Sequence, residues 1–172
     1  AQLIGVSRFE ADFFAEPLGF DRARFTVIPN GAHLPDIETV SPTITHPLII
    51  SSGRLERYKG HHRVIAALPH VLEQRADVRL RIVGTGPYES ELHSLADKLG
   101  VHDHVEIRGI PPGNRQGMAE LLARSSLVVL FSEYEAHPVA VMEALSLKRP
   151  VLVADTSGLH ELAEQGLATA LP

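Results

Sequence analysis

The sequence predicts an α/β fold, a Rossmann-like doubly wound parallel sheet, and two observations carry that prediction. Short apolar runs stop at glycine, and each is followed by a segment whose apolar residues recur at helical spacing. The alternation repeats about five times between residues 47 and 172. Strands joined by crossover helices must run parallel, and parallel strands are buried on both faces. The continuous runs LIISS and SLVVLF have the composition that such burial needs.

The elements follow in order. Residues 7–18 pattern as a helix with Ser7 as its N-cap. Residues 25–28 read as a short strand running into the turn Pro29-Asn30-Gly31. Residues 33–47 hold three prolines and three threonines and read as a linker. A strand over 48–52 stops at Gly53, and Val64, Ile65, Leu68, Val71 and Leu72 mark the next helix. A strand over 78–83 ends at Gly84, and a helix over 89–99 is closed by Gly100. Strands over 104–108, 126–131 and 150–154 then alternate with helices over 118–124, 139–147 and 158–165. Residues 1–172 thus form one domain, with a leading helix, strand and linker over 1–46 and core repeats over 47–172. Ligands bind such sheets beyond the carboxyl ends of the strands. The loops to watch are 53–60, 84–88, 109–113, 132–138 and 155–158.

Composition narrows the function. With 172 residues and 44 % hydrophobic content the chain can bury a core. It has no cysteine, which excludes disulfides, cysteine-ligated metals and a cysteine nucleophile. Lys and Arg total 16 against 21 acidic residues, a formal charge of -5 that disfavours nucleic acid as a partner. No apolar run approaches the roughly 20 residues of a membrane span. Arg8, Glu10 and Asp12 interrupt the start of the chain, unlike a secretory signal. The chain reads as cytoplasmic and, beginning at Ala1, as a fragment or a processed product.

Three motifs could carry chemistry. In Gly53-Arg54-Leu55-Glu56-Arg57-Tyr58-Lys59-Gly60, a glycine turn and cations stand between a strand and a helix. Such a loop suits a diphosphate, helped by helix N-terminal amides, although a solvated charged loop has the same composition. Gly84-Thr85-Gly86-Pro87 shares half of a dinucleotide fingerprint but lacks its continuation. In Glu135-Ala136-His137-Pro138-Val139-Ala140-Val141-Met142-Glu143, a carboxylate follows a buried strand and a second sits on the next helix. Pro138 is placed to open that helix, the amides of Val139 and Ala140 could meet an anion, and Glu143 could accept two hydrogen bonds from a ribose diol. Apolar neighbours Val141, Met142, Ala144 and Leu145 make Glu143 an unusual surface residue. His137 could touch a substrate or serve packing. The other histidines, His61-His62 and His102 with His104 among them, lack metal-ligand spacing, so no metal is expected. No nucleophilic serine motif is present.

In order and spacing, these pieces resemble the C-terminal, donor-binding domain of the family 4 (group 1) retaining glycosyltransferases of the GT-B fold. The resemblance runs from about Gly5 to the chain end. It rests on Gly5-Val6-Ser7, Val27-Ile28-Pro29-Asn30-Gly31, Gly53-Arg54-Leu55 with Lys59-Gly60, and Ile82-Val83-Gly84-Thr85-Gly86-Pro87. It continues through Val105 to Gly109, through Glu135 and Glu143 with seven residues between them, and through Pro150 to Ala154 and Gly158 to Leu162.

The resemblance implies that Arg54 and Lys59 bind the donor diphosphate, Glu135 contacts the donor sugar and Glu143 holds the ribose hydroxyls. The implied donor-binding set is Gly53, Arg54, Lys59, Gly84, Gly109, Ile110, Glu135, Ala136, His137, Pro138, Val139 and Glu143, with Arg54, Lys59 and Glu135 as its catalytic members. The expected ligand is a UDP-, GDP- or ADP-sugar, and the expected reaction is hexose transfer with retention to a saccharide or lipid-linked acceptor. No cofactor or metal is implied, because fixed cations can stabilise the departing diphosphate. The acceptor-binding N-terminal domain is expected outside this chain, and with it any contact with the inner membrane face. The chain departs from the family at Ala136, where glycine is usual, at His137, and at Lys148-Arg149, where glycine commonly precedes the last Pro-Val strand. If the backbone at Ala136 is left-handed, alanine there costs roughly 1 kcal/mol. Two alternatives remain at this point: a non-catalytic nucleotide-sugar-binding module, and a GT-B-fold nucleotide-sugar epimerase.

Overall fold

The computed structural model describes residues 1–35, 37 and 46–172. Most of the expected linker, residues 36 and 38–45, therefore lies outside the described residues. The chain opens with β1 (Leu3–Gly5), α1 (Arg8–Ala15) and β2 (Phe25–Val27). The repeats follow as β3 (Leu48–Ser52), α2 (His61–Gln74), β4 (Arg79–Val83), α3 (Glu89–Lys98) and β5 (Val105–Ile107). They continue as α4 (Arg115–Ala123), β6 (Leu127–Leu130), α5 (Val139–Ser146), β7 (Val151–Ala154), α6 (Ser157–Glu164) and β8 (Thr169–Leu171). Among the described residues no helix is long and apolar enough to cross a membrane.

Strands β3 to β8 form one parallel sheet of six strands in the order β5-β4-β3-β6-β7-β8. Counted from β3, this is the order 3-2-1-4-5-6 of a doubly wound sheet. Successive side chains point to opposite faces and both faces are buried. Ile50, Val128, Leu130 and Val153 pack under α4, α5 and α6 with Leu122, Val141 and Leu159. Ile49, Val129 and Leu152 face the other way, toward Ile65, Leu68 and Leu92 on α2 and α3. Each such Leu or Ile contributes about 1.5–3 kcal/mol by leaving water. The burial explains why these strands read as unbroken apolar runs.

In register, Ser52 lies beside Val83, so β3 and β4 end level. The contact continues past the strand ends, with Gly53 N donating to Val83 O at 3.0 Å and Leu55 N to Thr85 O at 3.0 Å. A Cβ on Gly84 would stand 1.9 Å from the Gly53 carbonyl oxygen, so only glycine lets the two loops meet. The GTG turn is thus explained by a backbone crossing.

The leading segment stands apart from the six strands. β1 pairs in parallel with β2 alone, in a separate two-stranded sheet. Ser7 caps α1, accepting from Glu10 N at 3.0 Å, while Glu10 accepts from Val6 N at 2.6 Å. The Ser7–Glu10 spacing is that of a capping box, with the Glu10 carboxylate reaching one residue further back than the cap. The same end of α1 is held on α6, where the Glu161 carboxylate accepts from Arg8 N at 3.1 Å and from Phe9 N. The three-residue strands β1 and β8 were not expected, because neither contains an apolar run long enough to read.

Alanine at 136 carries no strain. Among the described residues, the non-glycine residues with left-handed φ are Lys148 (56°) and Ser157 (49°). The strain falls at Lys148, in the Lys148-Arg149 pair that precedes β7.

Candidate functional site

The strand order places the topological switch point between β3 and β6, where a crevice opens beyond the carboxyl ends. Gly60 brings the two loops together. Its φ is 73°, and a Cβ there would lie 2.0 Å from the Phe131 carbonyl oxygen. It ends a 3-10 turn over Arg57–Lys59 and starts α2. The preceding Lys59 therefore projects across the crevice, and its Nζ lies 2.7 Å from Glu135 Oε1. The side chains are only 15 % and 13 % exposed. Ser132, the second residue beyond β6, donates its hydroxyl to the same oxygen at 2.8 Å. Glu135 is also fixed by its backbone, which donates to Ser157 Oγ at 3.0 Å and accepts from Gly158 N at 2.8 Å.

Arg54 is 68 % exposed and meets Glu56 and the Tyr58 hydroxyl, each at 2.8 Å. It lines a cavity of about 280 Å³ together with Gly53, Gly84, Gly109, Ile110 and Met118. Five expected donor-binding residues, from the loops after β3, β4 and β5, therefore share one hollow. A larger hollow of about 460 Å³ at the ends of β6, β7 and β8 contains none of the expected residues.

The loop between Glu135 and α5 is tied to the leading segment. The Asn30 side-chain amide donates to the His137 carbonyl oxygen at 2.8 Å. The His137 ring is half-buried with Nδ1 unpartnered, and burial holds its pKa below the ordinary imidazole value against the opposing pull of Glu161. Pro138 is the N-cap of α5, one residue before the helix, and no side chain caps it. Val139, the first helical residue, is exposed. A helix start of this kind attracts anions.

Glu143 lies further along α5 and is 8 % exposed. Its carboxylate meets the Arg115 guanidinium at 3.4 Å, at the start of α4. The structure therefore joins Lys59 to Glu135 directly, gathers Gly53, Arg54, Gly84, Gly109 and Ile110 around one cavity, and sets Glu143 against Arg115.

Sequence reasoning missed Ser132, Asn30, Arg115 and His61. His61 is buried, with Nδ1 2.8 Å from Ser51 Oγ and Nε2 3.2 Å from the Arg54 carbonyl oxygen. Burial pushes its pKa down. In the neutral ring Nε2–H donates to Arg54 O while Nδ1 accepts from Ser51, so His61 pins the base of the Gly53–Arg54 turn. Its place directly after Gly60 was the available signal.

Comparison with known proteins agrees with this fold. The chain is 33 % identical over 151 residues to a putative colanic acid biosynthesis glycosyltransferase, WcaL, of Escherichia coli, covering 86 % of this chain and 35 % of that protein. It is 28 % identical over 180 residues to a D-inositol 3-phosphate glycosyltransferase of Xylanimonas cellulosilytica, covering 92 % and 41 %. It thus spans well under half the length of either relative. Among solved structures, Anabaena HepE in complex with UDP and glucose superposes with a TM-score of 0.80 at 22 % identity, covering 99 % of this chain and 49 % of that one. WaaG, a glycosyltransferase involved in lipopolysaccharide biosynthesis, superposes at 0.81 with 22 % identity, covering 99 % and 49 %. At such identity the superpositions establish the shared fold. Residues 39–171 match the family described as glycosyl transferases group 1, more than three quarters of the chain. The chain belongs to the group 1 glycosyl transferases.

Proposed function

We propose that this domain is the donor half of a hexosyltransferase, binding a UDP-, GDP- or ADP-sugar and passing its hexose, with retention, to a saccharide or lipid-linked acceptor held by a second domain. The observation that carries the reading is the Lys59–Glu135 pair across the switch point, beside the cavity lined by Arg54. Arg54 and Lys59 take the diphosphate, and Gly53 and Gly84 let it approach the backbone. Gly109 and Ile110 meet the base and Glu143 the ribose. Glu135 and the loop Ala136, His137, Pro138 and Val139 hold the sugar and the adjoining phosphate. The bond between the anomeric carbon and the phosphate oxygen breaks with its electron pair going to the diphosphate, the acceptor hydroxyl oxygen attacks the same face, and its proton passes to the departing phosphate oxygen. Cations already in place steady the charge on the leaving oxygens, so no metal is required of the site. HepE, which was solved with UDP and glucose, and the glycosyltransferase names of the relatives support this assignment.

Calorimetry tests it. Each charge-assisted contact to a second phosphate is worth about 1.5–3 kcal/mol, so a nucleoside diphosphate is expected to bind at least roughly tenfold more tightly than its monophosphate. Arg54→Ala and Lys59→Ala are each expected to shrink that preference. Equal affinities for UMP and UDP, and likewise for the guanosine and adenosine pairs, overturn the assignment.

A further inference from the structure

Glu143 is a carboxylate in apolar surroundings. Val141 and Ala144 beside it are buried, and Met142 and Leu145 pack against the same core. A charge so placed needs a counter-charge. Among the described residues the ion pair Glu143 makes is with Arg115, Nη2 to Oε1 at 3.4 Å. Arg115 begins α4, a helix capped by the Asn114 side chain, which accepts from Gly117 N at 2.9 Å. The Arg115 guanidinium also donates to the His33 carbonyl oxygen, so it is fixed from a third segment of the chain. Its side chain is 47 % exposed, which places it at the rim over the better-buried Glu143. Met118, one helical turn on and on the same face of α4, lines the cavity with Gly109 and Ile110. Arg115, with Glu143 beside it, therefore lies one helical turn from a residue that lines that cavity.

We propose that Arg115 is a positioning residue for Glu143 and thereby sets the preference of the site for a ribose diol over a deoxyribose. The inference rests on the donor-site reading above. Arg115 places a positive charge against Glu143 among its apolar neighbours and engages one carboxylate oxygen. The other oxygen is left in a fixed direction, able to accept from a vicinal diol. Without Arg115 the carboxylate has no counter-charge among the described residues, and its two oxygens are no longer distinguished by that partner.

The test compares UDP, GDP and ADP with their 2′-deoxy counterparts by calorimetry on the full chain. A hydrogen bond to a charged carboxylate corresponds to a ribose preference of roughly ten- to a hundredfold in the unsubstituted protein. Arg115→Gln is expected to bring the ratio to within about threefold of one, because the deoxy ligand loses nothing that the variant still offers. Arg115→Lys keeps the counter-charge and is expected to retain most of the ratio. A purely structural role for Arg115 lowers both affinities together and leaves the ratio unchanged, and that result overturns the inference. So does an Arg115→Lys ratio as low as that of Arg115→Gln. Failure of all three diphosphates to bind the unsubstituted protein overturns instead the donor-site reading and, with it, this proposal.

Discussion

Lys59 Nζ lies 2.7 Å from Glu135 Oε1 although the two residues are 76 positions apart in the chain. The contact exists because parallel strands send every strand-to-helix loop to one edge of the sheet, and β3 and β6 are neighbours there. Each charge answers the other. On the proposed reading a donor diphosphate entering the crevice shares Lys59 with Glu135, which would couple phosphate binding and sugar contact at a single ion pair.

That coupling is measurable in stability. The pair is mostly but not fully shielded, so removing either partner alone is expected to cost about 1–3 kcal/mol, between the values for exposed and buried pairs. Lys59→Ala with Glu135→Ala is expected to cost less than the two singles added, because the double variant leaves no orphaned charge. Urea denaturation of the four proteins gives the coupling directly, and strict additivity would show that the pair is incidental.

The two glutamates have different roles in the proposed site. In the full-length protein, Glu143→Ala is expected mainly to raise the Michaelis constant for the donor, since the ribose does not react. Glu135→Ala is expected mainly to lower kcat, since it faces the sugar that does. Steady-state kinetics separate the two, and a change confined to the Michaelis constant in both variants contradicts the division.

Turnover of the full-length protein is expected to survive a chelator. In the proposed site Arg54 and Lys59 supply the charge that a metal would otherwise bring to the leaving diphosphate. Activity abolished by EDTA and restored by magnesium or manganese would assign that charge to an ion.

His61 gives the domain an acid-sensitive anchor. Burial lowers its pKa in the folded protein, so between that lowered value and the ordinary imidazole value of about 6.5 the unfolded chain binds the extra proton. Its contribution is complete above about pH 6.5 and is lost as the pH falls from there toward the lowered value. His61→Gln is expected to be less stable than the unsubstituted protein at pH 7.5 and to lose less stability between pH 7 and 5.5. Calorimetric melting at both pH values checks this, and parallel pH slopes would remove His61 as the cause.

Lys148 holds a left-handed backbone, φ 56°, that costs a side chain roughly 1 kcal/mol. Lys148→Gly is expected to raise the melting temperature by about 2–4 °C, the shift that 1 kcal/mol produces in a domain of this size. A lower melting temperature would mean that the entropy glycine gains in the unfolded chain outweighs the strain relieved.

The sequence by itself determined the architecture. Short strand-like runs ending at Gly53 and Gly84, with helical spacing between them, required parallel crossovers. That reasoning placed Arg54, Lys59, Glu135 and Glu143 at one sheet edge, since loop position follows from strand direction alone. Only the tertiary structure decided the partners. The Lys59–Glu135 contact depends on β3 and β6 being neighbours and on Gly60 lying under Phe131, which are long-range facts with no local signature. Ser132, Asn30 and Arg115 went unread for the same reason, each being an ordinary polar residue until another part of the chain is folded against it. The leading segment shows the same limit. Its N-cap is written in Ser7, but its separation into a two-stranded sheet and its clasp on Glu161 were settled only by packing.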